Sequence, residues 1–376
     1  MNLDFTEEQE MLRSQARGFM EKDFPKTLVR EMEDDPTGFR ADIWEKMVAL
    51  GWTGLIIPEE YGGTGGSFMD LVILLEEIGR ECLVAPLFST IMGTLLILVA
   101  GNDEQKKEFL PKIAAGEMIV VPALTEPSAI YEASGIETLA VPESDGYVID
   151  GTKLFIQDAQ VANYFICATK TTKWASPEES VTLFLVDARS PGIKITPLDT
   201  IAADKQCEVS FENVRVPKSD MLGELNQGWP IVARWLEQAA IAKCAEISGA
   251  TGWMVENCVS YAKDRVQYTQ PIGSFGIIQS YLAQMYTETG LARRYTYYIA
   301  WLMEQGIPCS RDVAMCKAWA SDVYCSWSRM GVQIYGGYGT SREYDMQLYF
   351  RRARQAQFLF GDPNSLREKV AGMIGL

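Results

Sequence analysis

Gly146-Tyr147-Val148-Ile149-Asp150-Gly151-Thr152-Lys153-Leu154-Phe155-Ile156-Gln157 lies near the middle of a chain of 376 residues. It is rich in β-branched and aromatic residues and is broken by an Asp-Gly turn signal, so it reads as strand. Similar short runs at Val161 to Ala168, Val181 to Val186 and Val209 to Val216 extend this character from about Met118 to Gly223. Outward on either side the period changes from two to between three and four. From Asp4 to about Gly116, Thr6-x-x-Gln9 reads as a capping box, and Phe5, Met11, Leu12 and Phe19 fall on one helical stripe. From Gln227 to the C-terminus long helical stretches are broken at Gly273, around Gly306 to Pro308 and at Gly336-Gly337, enough for a four-helix bundle. The expected fold class is α+β: an N-terminal helical domain over 1–117, a central antiparallel β domain over 118–224 and a C-terminal four-helix bundle over 225–376. Pockets form preferentially at seams between such domains.

Composition removes several chemistries. The chain contains no histidine, which excludes Ser-His-Asp and Cys-His nucleophiles, histidine-ligated metals and an imidazole base. No metal site is expected. With 34 Lys and Arg against 50 Asp and Glu, the formal net charge is −16, which argues against nucleic acid or an anionic membrane as partner. The eight cysteines include no CxxC pair and no disulfide-framework spacing, and Met1 leads into an acidic amphipathic segment without a signal peptide, so a cytoplasmic setting is expected. The most apolar stretch, Cys82 to Gly101, is interrupted by Pro86, Ser89, Thr90, Gly93 and Thr94 and reads as a buried core helix. No GxGxxG, P-loop or EF-hand is present, and Gly62-Gly63-Thr64-Gly65-Gly66 reads as a flexible loop.

Four local patterns carry more information together than singly. They are Leu124-Thr125-Glu126-Pro127, then Gly151 to Gln157, then Arg265-x-Gln267-Tyr268-Thr269-Gln270-Pro271-Ile272-Gly273 ending at Gln279, and finally Gln333-Ile-Tyr-Gly336-Gly337-Tyr-Gly339. In this order and spacing the chain resembles the flavin-dependent acyl-CoA dehydrogenase family over nearly its whole length. The resemblance implies an FAD cofactor, an acyl-CoA substrate, electron-transfer flavoprotein as the electron partner, and a homotetramer. It places the backbone of Leu124 and Thr125 at the flavin's pyrimidine edge and Phe155, Ile156 and Gln157 against its ring. Arg265, Gln267 and Tyr268 match the segment that meets the pyrophosphate and adenosine, where a guanidinium suits bidentate phosphate binding. Gln279 and Gln333 are amides suited to ribose or adenine, and Gly336 and Gly337 allow close main-chain approach to the dinucleotide.

The same resemblance exposes a gap. Most relatives carry a catalytic Glu in an aromatic-Glu-Gly-Thr segment, and the matching run here is Leu359-Phe360-Gly361-Asp362, so Phe360 replaces the base. A smaller group carries the base on the first long C-terminal helix, at the position of Ala239. Relatives acting on cyclic acyl-CoA thioesters use an aspartate from a helical wall, and the corresponding Cys82 to Asn102 has no acidic residue. Two weak candidates for the base stand nearby. Glu237 is turned about 200° from Ala239 around the helix, and Asp362 precedes Pro363 and also reads as an N-cap. Tyr131, where many relatives have a serine near the thioester, joins Glu237, Phe360 and Gly361 as expected substrate contacts. The implied activity is dehydrogenation of an unusual acyl-CoA, cyclic or substituted, with hydride passing to flavin N5. The alternative is a base-less subunit of a heterotetramer whose partner carries the glutamate.

Overall fold

The computed structural model describes residues 5–172 and 175–376. In chain order the helices are α1 (Glu7–Asp23), α2 (Lys26–Asp34), α3 (Ala41–Ala49), α4 (Phe68–Glu81), α5 (Leu87–Ala100) and α6 (Asp103–Ala114). Strands β1 (Val120–Ala123), β2 (Leu139–Glu143), β3 (Gly146–Gln157), β4 (Tyr164–Lys170), β5 (Val181–Asp187), β6 (Ile193–Leu198), β7 (Gln206–Pro217) and β8 (Met221–Leu222) follow. After them come α7 (Gly228–Asp264), a small hairpin of β9 (Val266–Gln267) and β10 (Gln270–Pro271), then α8 (Gly276–Glu304), α9 (Ser310–Tyr335), α10 (Met346–Phe358) and α11 (Pro363–Met373). The helix, sheet, helix order is the one expected. Two compact units result, each assembled from separated segments. One, mostly helical, comprises Met1–Arg30, Phe68–Leu83 and Glu237–Leu376; the other comprises Glu31–Ser67 and Val84–Leu236 and contains the sheet.

The sheet has eight strands in the order β6-β7-β3-β2-β4-β5-β8, with β1 against β4. It is antiparallel except where β4 receives β1, and at one position β2, in parallel. That is a departure from a purely antiparallel reading: β1 enters alongside β4 with Val120 opposite Tyr164, running the same way. Strands β4 and β5 are buried almost throughout. They therefore read as continuous apolar runs and not as alternation.

The capping box at Thr6 forms as expected: the Gln9 amide donates to Thr6 Oγ1 at 3.2 Å and the Thr6 amide donates to Gln9 Oε1 at 3.2 Å. The buried stripe of α1 is a different one, however. Met11 is 67% exposed, whereas Ala16 and Met20 are fully buried. Arg17 donates to the buried Glu77 of α4 through two bonds of 3.0 and 2.8 Å, so a charged pair fixes the roll of this helix. Glu76 beside it accepts from Arg293 and from the Tyr297 hydroxyl at 2.6 Å on α8. Buried carboxylates are tolerable when paired in this way.

Helices α4 and α7 approach backbone to backbone. A Cβ on Gly249 would lie 1.7 Å from the Glu76 carbonyl oxygen, and one on Gly79 would lie 2.0 Å from that of Glu246. Only glycine permits this spacing. The C-terminal part has three long helices and two shorter ones among the described residues, more than the four expected. The glycine run at 62–66 is also tighter than a flexible loop, because the amides of Thr64, Gly65 and Gly66 donate to the carbonyls of Gly54, Ile57 and Leu55. Helix α5 is buried on all sides from Leu87 to Ile97, as expected of a core helix. No helix among the described residues is long and apolar enough to cross a membrane.

Candidate active site

In the sheet-bearing unit the decisive local feature is an irregularity in β3. Its register against β7 slips between Lys153 and Ile156, so that Lys153 pairs with Val209 while Ile156 pairs with Cys207. The extra residue is accommodated by Phe155, which takes a left-handed φ of 58°. Bulges re-aim side chains, and this one turns Phe155 outward, 41% exposed, while Ile156 stays buried. It also frees the Leu154 amide to donate to the Thr125 carbonyl at 2.8 Å. Leu124, Thr125, Phe155 and Ile156 are thereby brought together around one backbone bond. Gln157 is half-buried at the strand end, and Asp158 beyond it is left-handed and accepts from Ser89 Oγ at 2.5 Å.

Beneath this segment lies a buried ion pair. Lys153 Nζ donates to Glu126 Oε1 at 2.6 Å, to the Ala168 carbonyl at 2.6 Å and to the Leu124 carbonyl at 3.3 Å. Glu126 also accepts from the amides of Glu137 and Thr138. Both residues lie inside motifs quoted above, yet periodicity gave no reason to single them out. Their signal was a lysine and a glutamate in stretches otherwise committed to burial. Tyr131 is half-buried in the turn after Glu126, where Ala129 has φ 54° and its amide donates to the Glu126 carbonyl at 2.8 Å.

In the helical unit, Arg265 closes α7. Its guanidinium lies 5.3 Å from the centre of the Tyr338 ring, in the turn that carries Gly336 and Gly337. Tyr261 and Tyr335 stack at 4.1 Å and tie the end of α9 to α7. Gly336 has φ 62° and ψ −139°, a conformation that favours glycine, and a Cβ at Gly336 or Gly337 would meet nothing within 4 Å. The backbone there is open on its outer side. Arg265, Gly336 and Gly337 are thus brought together, with Gln333 exposed two residues before the end of α9. Gln267 and Tyr268 stand on the β9–β10 hairpin, whose two turn residues Tyr268 and Thr269 have φ 50° and 71°. Such a turn normally takes Asn-Gly. Gln279 spends one amide proton on the Gly273 carbonyl at 3.0 Å.

At position 360, where the family resemblance leads one to expect the base, stands an aromatic ring. Phe360 is half-buried with φ 60°, and Gly361 after it has φ 108°. Ala239 is fully buried. Glu237 is half-buried, and its negative charge, secondary to burial, helps to push up the thiol of Cys309 at the start of α9. Asp362 is taken up as a cap: its carboxylate accepts from the Asn364 amide at 2.9 Å, the Ser365 amide at 3.2 Å and the Ser365 hydroxyl. Burial alone would raise its pKa, but these bonds outweigh it and hold the carboxyl below the ordinary value. A depressed folded-state pKa contributes stability above the unfolded value near 4, lost as pH falls through the folded one. Asp362→Ala is therefore expected to cost about 1 kcal/mol, more at neutral than at strongly acidic pH, and to leave turnover within a few-fold. Thermal melts across pH, run beside an activity assay, check this; a loss of a hundredfold or more would instead make Asp362 the base.

Three family models match the chain: acyl-CoA dehydrogenase N-terminal domain at residues 6–117, middle domain at 122–214 and C-terminal domain at 226–374. The chain belongs to the acyl-CoA dehydrogenase family, and is an FAD-dependent flavoprotein oxidoreductase. It is 33% identical to a 3-(aryl)acrylate reductase of Clostridium sporogenes over 93% of this chain and 94% of that one. It is 30% identical to subunit CarC of the caffeyl-CoA reductase-Etf complex of Acetobacterium woodii, covering 98% and 99%. Butyryl-CoA dehydrogenase of Megasphaera elsdenii has the same fold with a TM-score of 0.91 at 29% identity, all of both chains being covered. Taken separately, the outward Phe155 beside a fixed backbone segment in the sheet-bearing unit is chemically suited to a flat ring, and the Arg265 guanidinium beside an open glycine turn in the helical unit is suited to a pyrophosphate.

Proposed function

We propose that this protein oxidises or reduces the carbon–carbon bond next to the thioester of an unusual acyl-CoA, cyclic or substituted, and exchanges the proton through a group other than the usual glutamate. The observation that carries this reading is the phenylalanine at 360, where the family resemblance leads one to expect a glutamate, with Asp362 committed to capping α11. FAD, when bound, supplies the hydride acceptor at N5. On this reading Leu124 and Thr125 hold its pyrimidine edge by main-chain groups, Phe155, Ile156 and Gln157 cover its ring, and Arg265, Gln267 and Tyr268 meet its pyrophosphate and adenosine. Gln279, Gln333, Gly336 and Gly337 receive the remainder of the dinucleotide. Tyr131, Glu237, Phe360 and Gly361 contact the acyl group, and Glu237 is the candidate base left after Asp362. Relatives named as reductases, one in an Etf complex, support a C=C/CH–CH couple with electron-transfer flavoprotein as partner. Eight free cysteines, all buried, fit a reducing cytoplasm, and a tetramer accords with the family.

Anaerobic mixing of the purified yellow protein with a panel of saturated and unsaturated acyl-CoAs tests this. Bleaching of the flavin by a saturated cyclic or substituted thioester, or recolouring of the reduced flavin by its unsaturated counterpart, is expected, with straight-chain thioesters slow. Protein that neither contains nor takes up FAD overturns the reading. Activity that appears only on adding a glutamate-bearing subunit replaces it with the base-less partner reading.

A further inference from the structure

Lys317 has no role in anything described so far, yet it is a fully buried cation on α9. Its Nζ donates to the carbonyls of Ala356 at 3.0 Å, Gln357 at 3.4 Å and Gly361 at 3.0 Å, and to Ser321 Oγ at 2.9 Å. All four partners are neutral oxygens. An ammonium so placed pays a desolvation penalty that no carboxylate offsets directly, and burial pulls its pKa down to about 8. A polar neutral side chain would tie two carbonyls more cheaply. The bonds, however, bracket one short segment: two end on the last turn of α10 and one on Gly361, with Phe358, Leu359 and Phe360 between them. Within that segment Phe360 and Gly361 are consecutive left-handed residues, φ 60° and 108°. For a phenylalanine that conformation is costly and persists only where its surroundings enforce it.

We propose that Lys317 is a positioning residue for the acyl-CoA: by holding the carbonyls on both sides of Phe360 it fixes the left-handed backbone from which the wall of the acyl pocket is built. The proposal rests on the reading that Phe360 and Gly361 touch the acyl group. A single cation serves because four neutral oxygens converge on one point: an ammonium can share its three protons among them, whereas a hydroxyl has only one to give. The position was hard to notice in sequence because Lys317 lies between Cys316 and Ala318 in a run of small and apolar residues, where a lone lysine reads as a solvated face.

The test uses FAD-loaded protein and follows the flavin spectrum during titration with butyryl-CoA and caffeyl-CoA, for wild type, Lys317→Met, Ser321→Ala and Phe360→Ala. Lys317→Met is expected to keep its FAD and raise the Kd of the tighter-binding thioester about tenfold or more, while kcat at saturation changes far less. Ser321→Ala, which keeps the lysine and removes one anchor, is expected to raise Kd about threefold without loss of FAD. Lys317→Met with FAD intact and Kd unchanged overturns the proposal. If Lys317→Met does not fold, an unchanged Kd in Ser321→Ala overturns it and the threefold rise upholds it. Phe360→Ala separates the two layers: a changed Kd there with no change in the lysine variant sinks only the role of Lys317, whereas an unchanged Kd in Phe360→Ala sinks the pocket reading beneath it.

Discussion

Phe360→Glu is expected to gain dehydrogenation of a straight-chain saturated thioester such as butyryl-CoA by about a hundredfold or more, the scale on which a positioned general base contributes. The backbone conformation is already paid for by phenylalanine, because any residue with a Cβ meets the same steric cost at φ 60°. The neighbouring carbonyls are held from below by Lys317, through bonds that do not involve the 360 side chain. A carboxyl in this half-buried setting is raised by desolvation toward the range in which it abstracts a proton best. FAD content should not change, and turnover of the natural substrate should fall, since on the proposed reading the ring shapes its pocket. The measurement is the rate of anaerobic flavin bleaching by butyryl-CoA in variant and wild type. A folded, FAD-containing variant with no gain would mean that position 360 does not stand beside the carbon next to the thioester.

Lys153→Met is expected to have the largest effect on stability. The lysine and Glu126 are both buried, and removing one partner strands the other charge. Breaking a buried pair in this way costs about 3–5 kcal/mol. The carbonyls of Leu124 and Ala168 lose their donor as well. Because Leu124 and Thr125 belong to the proposed flavin segment, FAD retention should weaken together with the melting temperature. Adding Glu126→Gln should recover part of the loss, because a neutral amide no longer leaves a charge uncompensated. Thermal melts and FAD content of the single and double variants check this. A double variant no more stable than Lys153→Met would show that the carbonyl bonds, and not the stranded carboxylate, dominate.

The sequence made the order of helix, sheet and helix legible because periodicity changes sharply at either end of the β region, and the Thr6 capping box because it is local. The stripe on α1 differs from the expected one: Met11 is apolar yet exposed, while Arg17 is tied to the buried Glu77, a partner 60 residues away. The parallel placement of β1 is likewise a long-range choice that no window of sequence contains. At the candidate site, Arg265 and the glycines at 336 and 337 could be picked out through the family resemblance, which residue type alone did not supply. The bulge that turns Phe155 outward could not, since it depends on the register of β7. Lys153 and Lys317 escaped notice for the same reason: an isolated lysine in sequence gives no indication of the carbonyls that tertiary structure gathers around it.

The crossing of α4 and α7 at Gly79 and Gly249 involves main chain against main chain. A joint without side chains has nothing to exchange, so α7 keeps its roll and its longitudinal position whatever residues it carries elsewhere. Position 239 lies ten residues earlier on the same helix, about 15 Å along its axis, and its bearing is inherited from that joint. Scaffold and reactivity are in this sense separately heritable. On the reading that 239 is one of the family's base positions, a carboxylate can be gained or lost there without redrawing the frame that aims it.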